Sequence, residues 1–279
     1  MELTSYFYKT SCQDLNKNAF FSCPLSHRIV GAMEKLLPGV AKNKYLVARK
    51  KRFLPEGSEI VVKEITSRIE QVRRQIDWNQ NIHEASYVVF DTETTGLRPL
   101  KGDRVISIGG IVIENGHINE KKCFEEIVNP LQNIPDAISK LTGINNTLIS
   151  CKPVCLNVLP DFLDFIGNKI LVAHHAAFDL NFLNLELCRA TPLRIINPVI
   201  DTFLLSTALL PKVEKCSLEN LALHFGIEIN GRHTALGDSI ATAQIFLRLL
   251  EILKGKGIIS LKQLADHIAL TLGMIPPTY

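Results

Sequence analysis

Asp91 and Glu93 stand two residues apart at the end of the apolar run Tyr87-Val88-Val89-Phe90. On a strand, side chains alternate between faces, so both carboxylates point the same way. Two anions on one partly buried face repel, and a shared proton or an intervening cation relieves the repulsion. A hard divalent ion suits such a pair, but taken alone a D-x-E at a strand end reads first as an exposed polar rim. Asp179 follows the short apolar run Ile170-Leu171-Val172-Ala173 and stands near the start of a helical pattern that includes Phe178, Phe182 and Leu183. A strand end beside a helix start is a usual place for site residues, and it is also where the helix dipole favours an Asp. Asp238 opens another helical pattern and carries the same two readings. His233 lies five positions before Asp238. Five residues of α-helix advance ~500° and would part the two side chains. To act together, they need His233 in a loop ahead of the helix, an arrangement that Gly231-Arg232 and a cap at Thr234 allow.

The elements that must position these residues are legible around them. β-rich runs at 87–92, 105–113 and 123–128, the second followed by the turn Glu114-Asn115-Gly116-His117, predict a strand meander. Short strands at 170–173 and 199–200 then alternate with helical patterns over 160–166, 178–188, 218–225 and 240–253. That order implies a mixed sheet with helices packed on it. A further helical spacing runs over 260–272. Phe178 and Phe182, four apart, read as a core pair. Asp201, before Thr202-Phe203-Leu204-Leu205, reads as a helix cap.

Upstream, Val61, Ile65, Ile69, Val72 and Ile76 mark one apolar helix face, with Ser58 as its cap and Lys63, Arg68, Arg73 and Arg74 on the other face. A second amphipathic stretch lies near 25–37. Residues 1–85 therefore read as a helical N-terminal extension, either a partner-binding module or a flank covering the sheet. Residues 86–255 read as the chemical domain and 256–279 as a C-terminal helix and tail.

With 279 residues, 46% hydrophobic and 21% charged, the composition is that of a globular protein with a sizeable core and excludes disorder throughout. The net charge of +3 gives no global argument for coating nucleic acid. The first 85 residues hold 14 Lys and Arg against 9 Asp and Glu, much of the excess in the run Arg49-Lys50-Lys51-Arg52, which reads as a solvated corner. Seven cysteines with no C-x-x-C pair do not form a disulfide framework; Cys151 and Cys155 read as two buried thiols, and a reducing compartment fits. The N-terminus lacks the order of a secretory signal and no apolar run reaches the ~18 residues of a membrane span. A soluble cytoplasmic protein is expected.

Three segments, Phe90-Asp91-Thr92-Glu93-Thr94-Thr95-Gly96-Leu97, Ala173-His174-His175-Ala176-Ala177-Phe178-Asp179-Leu180-Asn181-Phe182-Leu183 and His233-Thr234-Ala235-Leu236-Gly237-Asp238, resemble in order and spacing the three motifs of the DEDDh 3′–5′ exonuclease family. That family includes the proofreading epsilon subunit of bacterial DNA polymerase III, ribonuclease T and oligoribonuclease. The resemblance runs from about Val88 to Leu250. It implies a ribonuclease H-like fold, a mixed five-stranded sheet flanked by helices. It also implies that Asp91, Glu93, Asp179 and Asp238 hold two Mg²⁺ or Mn²⁺ ions, with His233 as general base. Thr94, Thr95, Gly96 and Leu97 would line the pocket of the terminal nucleotide. The implied reaction is hydrolysis of single-stranded or frayed 3′ ends, DNA in preference to RNA, with a DNA polymerase subunit as a partner. RNA trimming within the same family and a silent nucleic-acid-binding scaffold are the alternatives. Where the second motif usually has His-Asn this chain has His174-His175, a departure that bears on substrate orientation more than on metal binding.

Overall fold

The computed structural model describes residues 58–73 and 77–273. The amphipathic stretch near 25–37, the basic run at 49–52 and Ile76 lie outside the described residues. Five strands form one mixed sheet: β1 (Tyr87–Thr94), β2 (Val105–Glu114), β3 (His117–Ile127), β4 (Ile170–Ala173) and β5 (Val199–Asp201). Their spatial order is β3-β2-β1-β4-β5. The first three strands form the antiparallel meander, while β4 and β5 run parallel to β1. This is the ribonuclease H-like arrangement that the three motifs imply.

The meander turns through Asn115 and Gly116, both at positive φ, as a tight hairpin requires. β3 begins at His117 and not near residue 123, because its first half, Ile118-Asn119-Glu120-Lys121-Lys122, shows no apolar alternation on an edge strand that is largely exposed on both faces.

Helices cover both faces of the sheet. On one, α1 (Ser58–Arg73), α4 (Cys155–Ile166) and α5 (Ala176–Ala190) close over Val88, Phe90, Ile108, Val112 and Leu171. On the other, α6 (Thr202–Leu209), α7 (Leu218–Phe225), α8 (Ala235–Gly255) and α9 (Leu261–Thr271) close over Tyr87, Val89, Ile111, Ile113 and Val172. The short helices α2 (Asp136–Thr142) and α3 (Asn146–Ile149) form a small third cluster with Ile106. Neither has a full apolar period, so the pattern that finds the longer helices passes over them.

α1 packs by the predicted face: Ile65, Ile69 and Val72 are buried, and Ile65 and Ile69 share a core with Phe90 and Phe162. Arg68 on its outer side pairs with Asp164 of α4 (Nη2–Oδ2 2.6 Å). At the other end, Ser260 caps α9 through a reciprocal box with Gln263, and Leu261, Leu264 and Ile268 join the core beneath α8. Cys155 is buried, but Cys151 is exposed, so the expectation of two buried thiols holds for one of them. Among the described residues no helix is long and apolar enough to cross a membrane.

Candidate active site

β1, β4 and β5 are parallel, so their carboxyl ends open on the same edge of the sheet, where α/β sheets place their sites. Within β1, Tyr87, Val89, Asp91 and Glu93 share the face under α8, and Val88, Phe90 and Thr92 the face under α5. Asp91 and Glu93 are half-buried, as expected for a strand leaving the core.

Asp238 comes to them because of a glycine. Gly109 of β2 lies directly across from Asp91 in the antiparallel register. A Cβ built there would sit 2.2 Å from the Ala235 carbonyl carbon and 2.3 Å from the Leu236 nitrogen. Only the bare backbone of glycine lets the start of α8 settle on the strand at this point, and Asp238 lies in its first turn. His233 precedes the helix in a loop with positive φ, and Thr234 caps α8 by accepting from Gly237 N at 3.1 Å. Ligand atoms of Glu93, His233 and Asp238 all lie within 4.8 Å of one another.

Asp179 arrives from the opposite face. It is on the first turn of α5 and 2% exposed. Its Oδ1 accepts from both Thr92 N (2.9 Å) and Thr92 Oγ1 (2.6 Å), so the residue between the two strand carboxylates fixes the third. Asp201 fixes the helix that carries it. The cap of α6, accepting from Phe203 N at 2.9 Å, also accepts from His175 N (3.2 Å) and Ala176 N (3.0 Å) at the start of α5. One carboxylate thus serves two helix termini. Thr92, Gly109 and the second role of Asp201 have no local sequence signal, since each depends on a partner distant along the chain.

The electrostatics are those of an acid cluster short of positive charge. Burial first, then the charges of Asp179, Glu93 and Asp238, holds Asp91 well above the usual carboxylate range. Glu93 is pushed up to about 8 by burial and by Asp238. Burial raises Asp179 against the opposing Thr92 hydrogen bonds. It also raises Asp238 to about 6, with Arg232 opposing. Burial, then the neighbouring Arg232 charge, lowers the His233 pKa, with Glu219 opposing. Asp238 Oδ1 is buried without a hydrogen-bond partner.

In the loop after β1, Thr94 Oγ1 donates to Gly96 O (2.6 Å). Thr95 Oγ1 accepts from Arg104 N (3.0 Å) and Gln132 Nε2 (2.9 Å). Both hydroxyls are therefore turned into the loop. The space beside Gly96 is filled by Asp103, whose Oδ2 would lie 2.5 Å from an added Cβ. Leu97 is half-buried. The second imidazole of the His-His pair, His175, stands at positive φ as the cap of α5 and stacks on Phe203, with centroids 4.1 Å apart. His174 Nδ1 meets Thr202 Oγ1 at 2.9 Å. Phe182 is in the core and Phe178 packs on it at 4.9 Å.

A ribonuclease H-like sheet that gathers acids where its parallel strands end offers a set of carboxylate oxygens suited to hard cations. A family model described as "Exonuclease" matches residues 88–246. The chain belongs to this exonuclease family, as the likeness of its three motifs to the DEDDh enzymes implies.

Among curated relatives, it is 42% identical over 183 residues to a DNA polymerase III subunit epsilon-like protein of Rhodobacter capsulatus, covering 63% of this chain and 25% of that one. It is 41% identical over 169 residues to the PolC-type DNA polymerase III of Clostridium perfringens, covering 59% of this chain and 11% of that one. It is 37% identical over 178 residues to the DNA polymerase III subunit epsilon of Aquifex aeolicus, covering 64% of this chain and 87% of that one. The chain thus spans a quarter or less of the first two relatives. Two solved structures share the fold. Exonuclease X, in complex with 5′ overhanging duplex DNA, aligns with TM-score 0.52 and 24% identity over 65% of this chain and 99% of that one. The nuclease domain of 3′hExo, a DEDDh family member bound to rAMP, aligns with TM-score 0.53 and 20% identity over 61% of this chain and 94% of that one.

Proposed function

We propose that this protein is a metal-dependent 3′–5′ exonuclease that removes nucleoside 5′-monophosphates from single-stranded or frayed 3′ ends of DNA. The observation that carries the reading is the buried, unpartnered Asp238 Oδ1 within a cluster whose carboxylates raise one another's pKa. Such a donor set fits divalent cations, because hard ions take carboxylate oxygens and relieve the repulsion among them. The exonuclease family generally acts with divalent metal ions. Asp91, Glu93, Asp179 and Asp238 would hold two of them, Mg²⁺ or Mn²⁺. Bound there, the ions would supply charge stabilisation to the attacking and leaving oxygens of an in-line displacement at phosphorus.

The chain's own groups do the rest. His233, neutral at working pH and next to Glu93 and Asp238, takes the proton of the attacking water. Thr92 and Asp201 keep Asp179 in register with β1. The terminal nucleotide lies along the Thr94–Leu97 loop, meeting backbone at Gly96 and the side chain of Leu97, while Thr94 and Thr95 hold the loop's shape.

DNA as substrate is supported by the Aquifex aeolicus relative, a DNA polymerase III subunit matched over 87% of its length. The same likeness supports a polymerase subunit as partner and proofreading as the role. RNA trimming is the second reading, favoured by the rAMP-bound structural neighbour. Digestion of 3′-labelled single-stranded DNA, long RNA and short oligonucleotides, with Mg²⁺, Mn²⁺ or chelator, tests the proposal. Mononucleotide release from DNA that stops with chelator is expected. Faster release from RNA would establish the second reading, and labelled ends left intact in every lane would refute both.

A further inference from the structure

The acid cluster already has a cation beside it. Arg232 donates through Nη1 to Asp238 Oδ2 and to His233 Nδ1, the latter at 3.2 Å. Its Nε donates to Glu219 Oε1 at 2.8 Å, and Nη2 reaches the same oxygen. A guanidinium has only donors, so His233 must present the Nδ1 lone pair to it. The same nitrogen therefore covers one oxygen of a carboxylate expected to bind metal and the lone pair of the imidazole expected to accept a proton. Glu219, on the first turn of α7, grips the far edge of the fork and is more than half exposed.

Resting on the metal-site reading above, we propose that Arg232 is the resident counter-cation of this site: it neutralises Asp238 and masks His233 while no divalent ion is bound, and it yields both when an ion enters, with Glu219 retaining the guanidinium. Three points support the exchange. Arg232 stays charged at any pH the protein meets, so it leaves Asp238 by movement and never by losing a proton. Only one oxygen of Asp238 is taken, and the other, Oδ1, is the buried atom without a partner. Glu219 gives the displaced fork a second anion, so the guanidinium need not be left uncompensated at the rim.

The sign of the effect separates this role from a merely structural one. A brace for the loop, once removed, would loosen the site and weaken ion binding. A competing cation, once removed, strengthens it. Mn²⁺ binding to the full chain at pH 8, followed through the electron paramagnetic resonance signal of the free ion, is to be measured for the parent, Arg232→Ala, Arg232→Lys and Asp91→Asn. Arg232→Ala should bind roughly 10-fold more tightly than the parent. Arg232→Lys, which keeps the charge without the fork, should stay within about 3-fold of it, and Asp91→Asn should bind far more weakly. In chelator, Arg232→Ala should also melt below the parent, and saturating Mn²⁺ should close most of that gap. Unchanged or weaker binding by Arg232→Ala, with binding still lost in Asp91→Asn, would overturn this inference and leave the metal site standing. Equal binding by the parent and Asp91→Asn would overturn the metal site and the inference together.

Discussion

At the scale of single residues, the site assigns unequal work to groups that look equivalent along the chain. Asp91 sits where the charges of Asp179, Glu93 and Asp238 all bear on it, so Asp91→Ala should abolish nearly all turnover. His233→Ala removes only the proton acceptor and should cost about 10²–10⁴-fold. Steady-state rates on a 3′-labelled strand decide this, and rates equal to the parent for both variants would misplace the site. Thr92 is a subtler case, because its side chain and its backbone both hold Asp179 Oδ1. Thr92→Val keeps the shape and the N–H but deletes the hydroxyl. An outer-shell loss of this kind should weaken ion binding by about 10–100-fold, and Mn²⁺ titration of the folded variant checks it. The five acidic and imidazole groups are legible through the likeness of their three ordered motifs to one family, since the strand end or helix start that each occupies admits an ordinary structural reading as well. Thr92 is not legible, since the residue between two carboxylates carries no sign of whom it bonds.

At the scale of elements, patterning located what is periodic and missed what is held from a distance. β1, β2, β4, α7 and the apolar face of α1 follow from β-rich runs and from the 3.6-residue period, whereas the first half of β3 does not. α4 begins at Cys155, five residues before the 160–166 pattern, with Pro160 inside it, although Pro is ordinarily favoured in a helix's first turn. α6 follows its Asp201 cap but is too short to show a face of its own. That cap governs more than α6, because it also binds the first amides of α5. Asp201→Ala should therefore cost more than one ordinary N-cap, about 2 kcal/mol or above, and should lower ion affinity through Asp179. Asp201→Asn, which keeps an acceptor oxygen, should recover most of both; urea melts and Mn²⁺ titration read the two effects. Gly109→Ala tests the other approach to the site. Its methyl would overlap the backbone of Ala235 and Leu236, so α8 must shift or β2 must bend. Activity should fall by orders of magnitude while far-ultraviolet circular dichroism still shows helix and strand. A fully active Gly109→Ala would mean that the close packing does not place Asp238.

At the scale of the whole molecule, the site opposes the stability of the fold, and pH exposes the conflict. A carboxyl whose folded pKa is raised binds its proton more tightly in the native state than in the unfolded chain. Its contribution is therefore lost as pH climbs from the ordinary carboxylate range, near ~4, through the folded value. Glu93 reaches about 8, and Asp91 and Asp179 are raised as well. The histidines act in the opposite sense. His174 is lowered to about 3 and His175 to about 4, both chiefly by burial, so the unfolded chain takes their protons first, and stability recovers as pH rises to ~6.5. Below that pH the two effects cancel in part, and above it the histidine gain soon levels off while the acids go on titrating. In chelator, the melting temperature should accordingly fall between pH 6.5 and 8.5, with each ~1 kcal/mol moving it by about 2–4 °C. Glu93→Gln should flatten the fall, since an amide has no proton to lose. Excess Mn²⁺ should reverse it, because ions bound only by the native state add about 4 kcal/mol at a thousand times Kd, and they bind best where the acids are ionised. The gain on adding Mn²⁺ must then be larger at pH 8.5 than at pH 6.5. A gain that is the same at both, or a parent profile no steeper than that of Glu93→Gln, would mean that the gathered acids are not what the fold strains to hold.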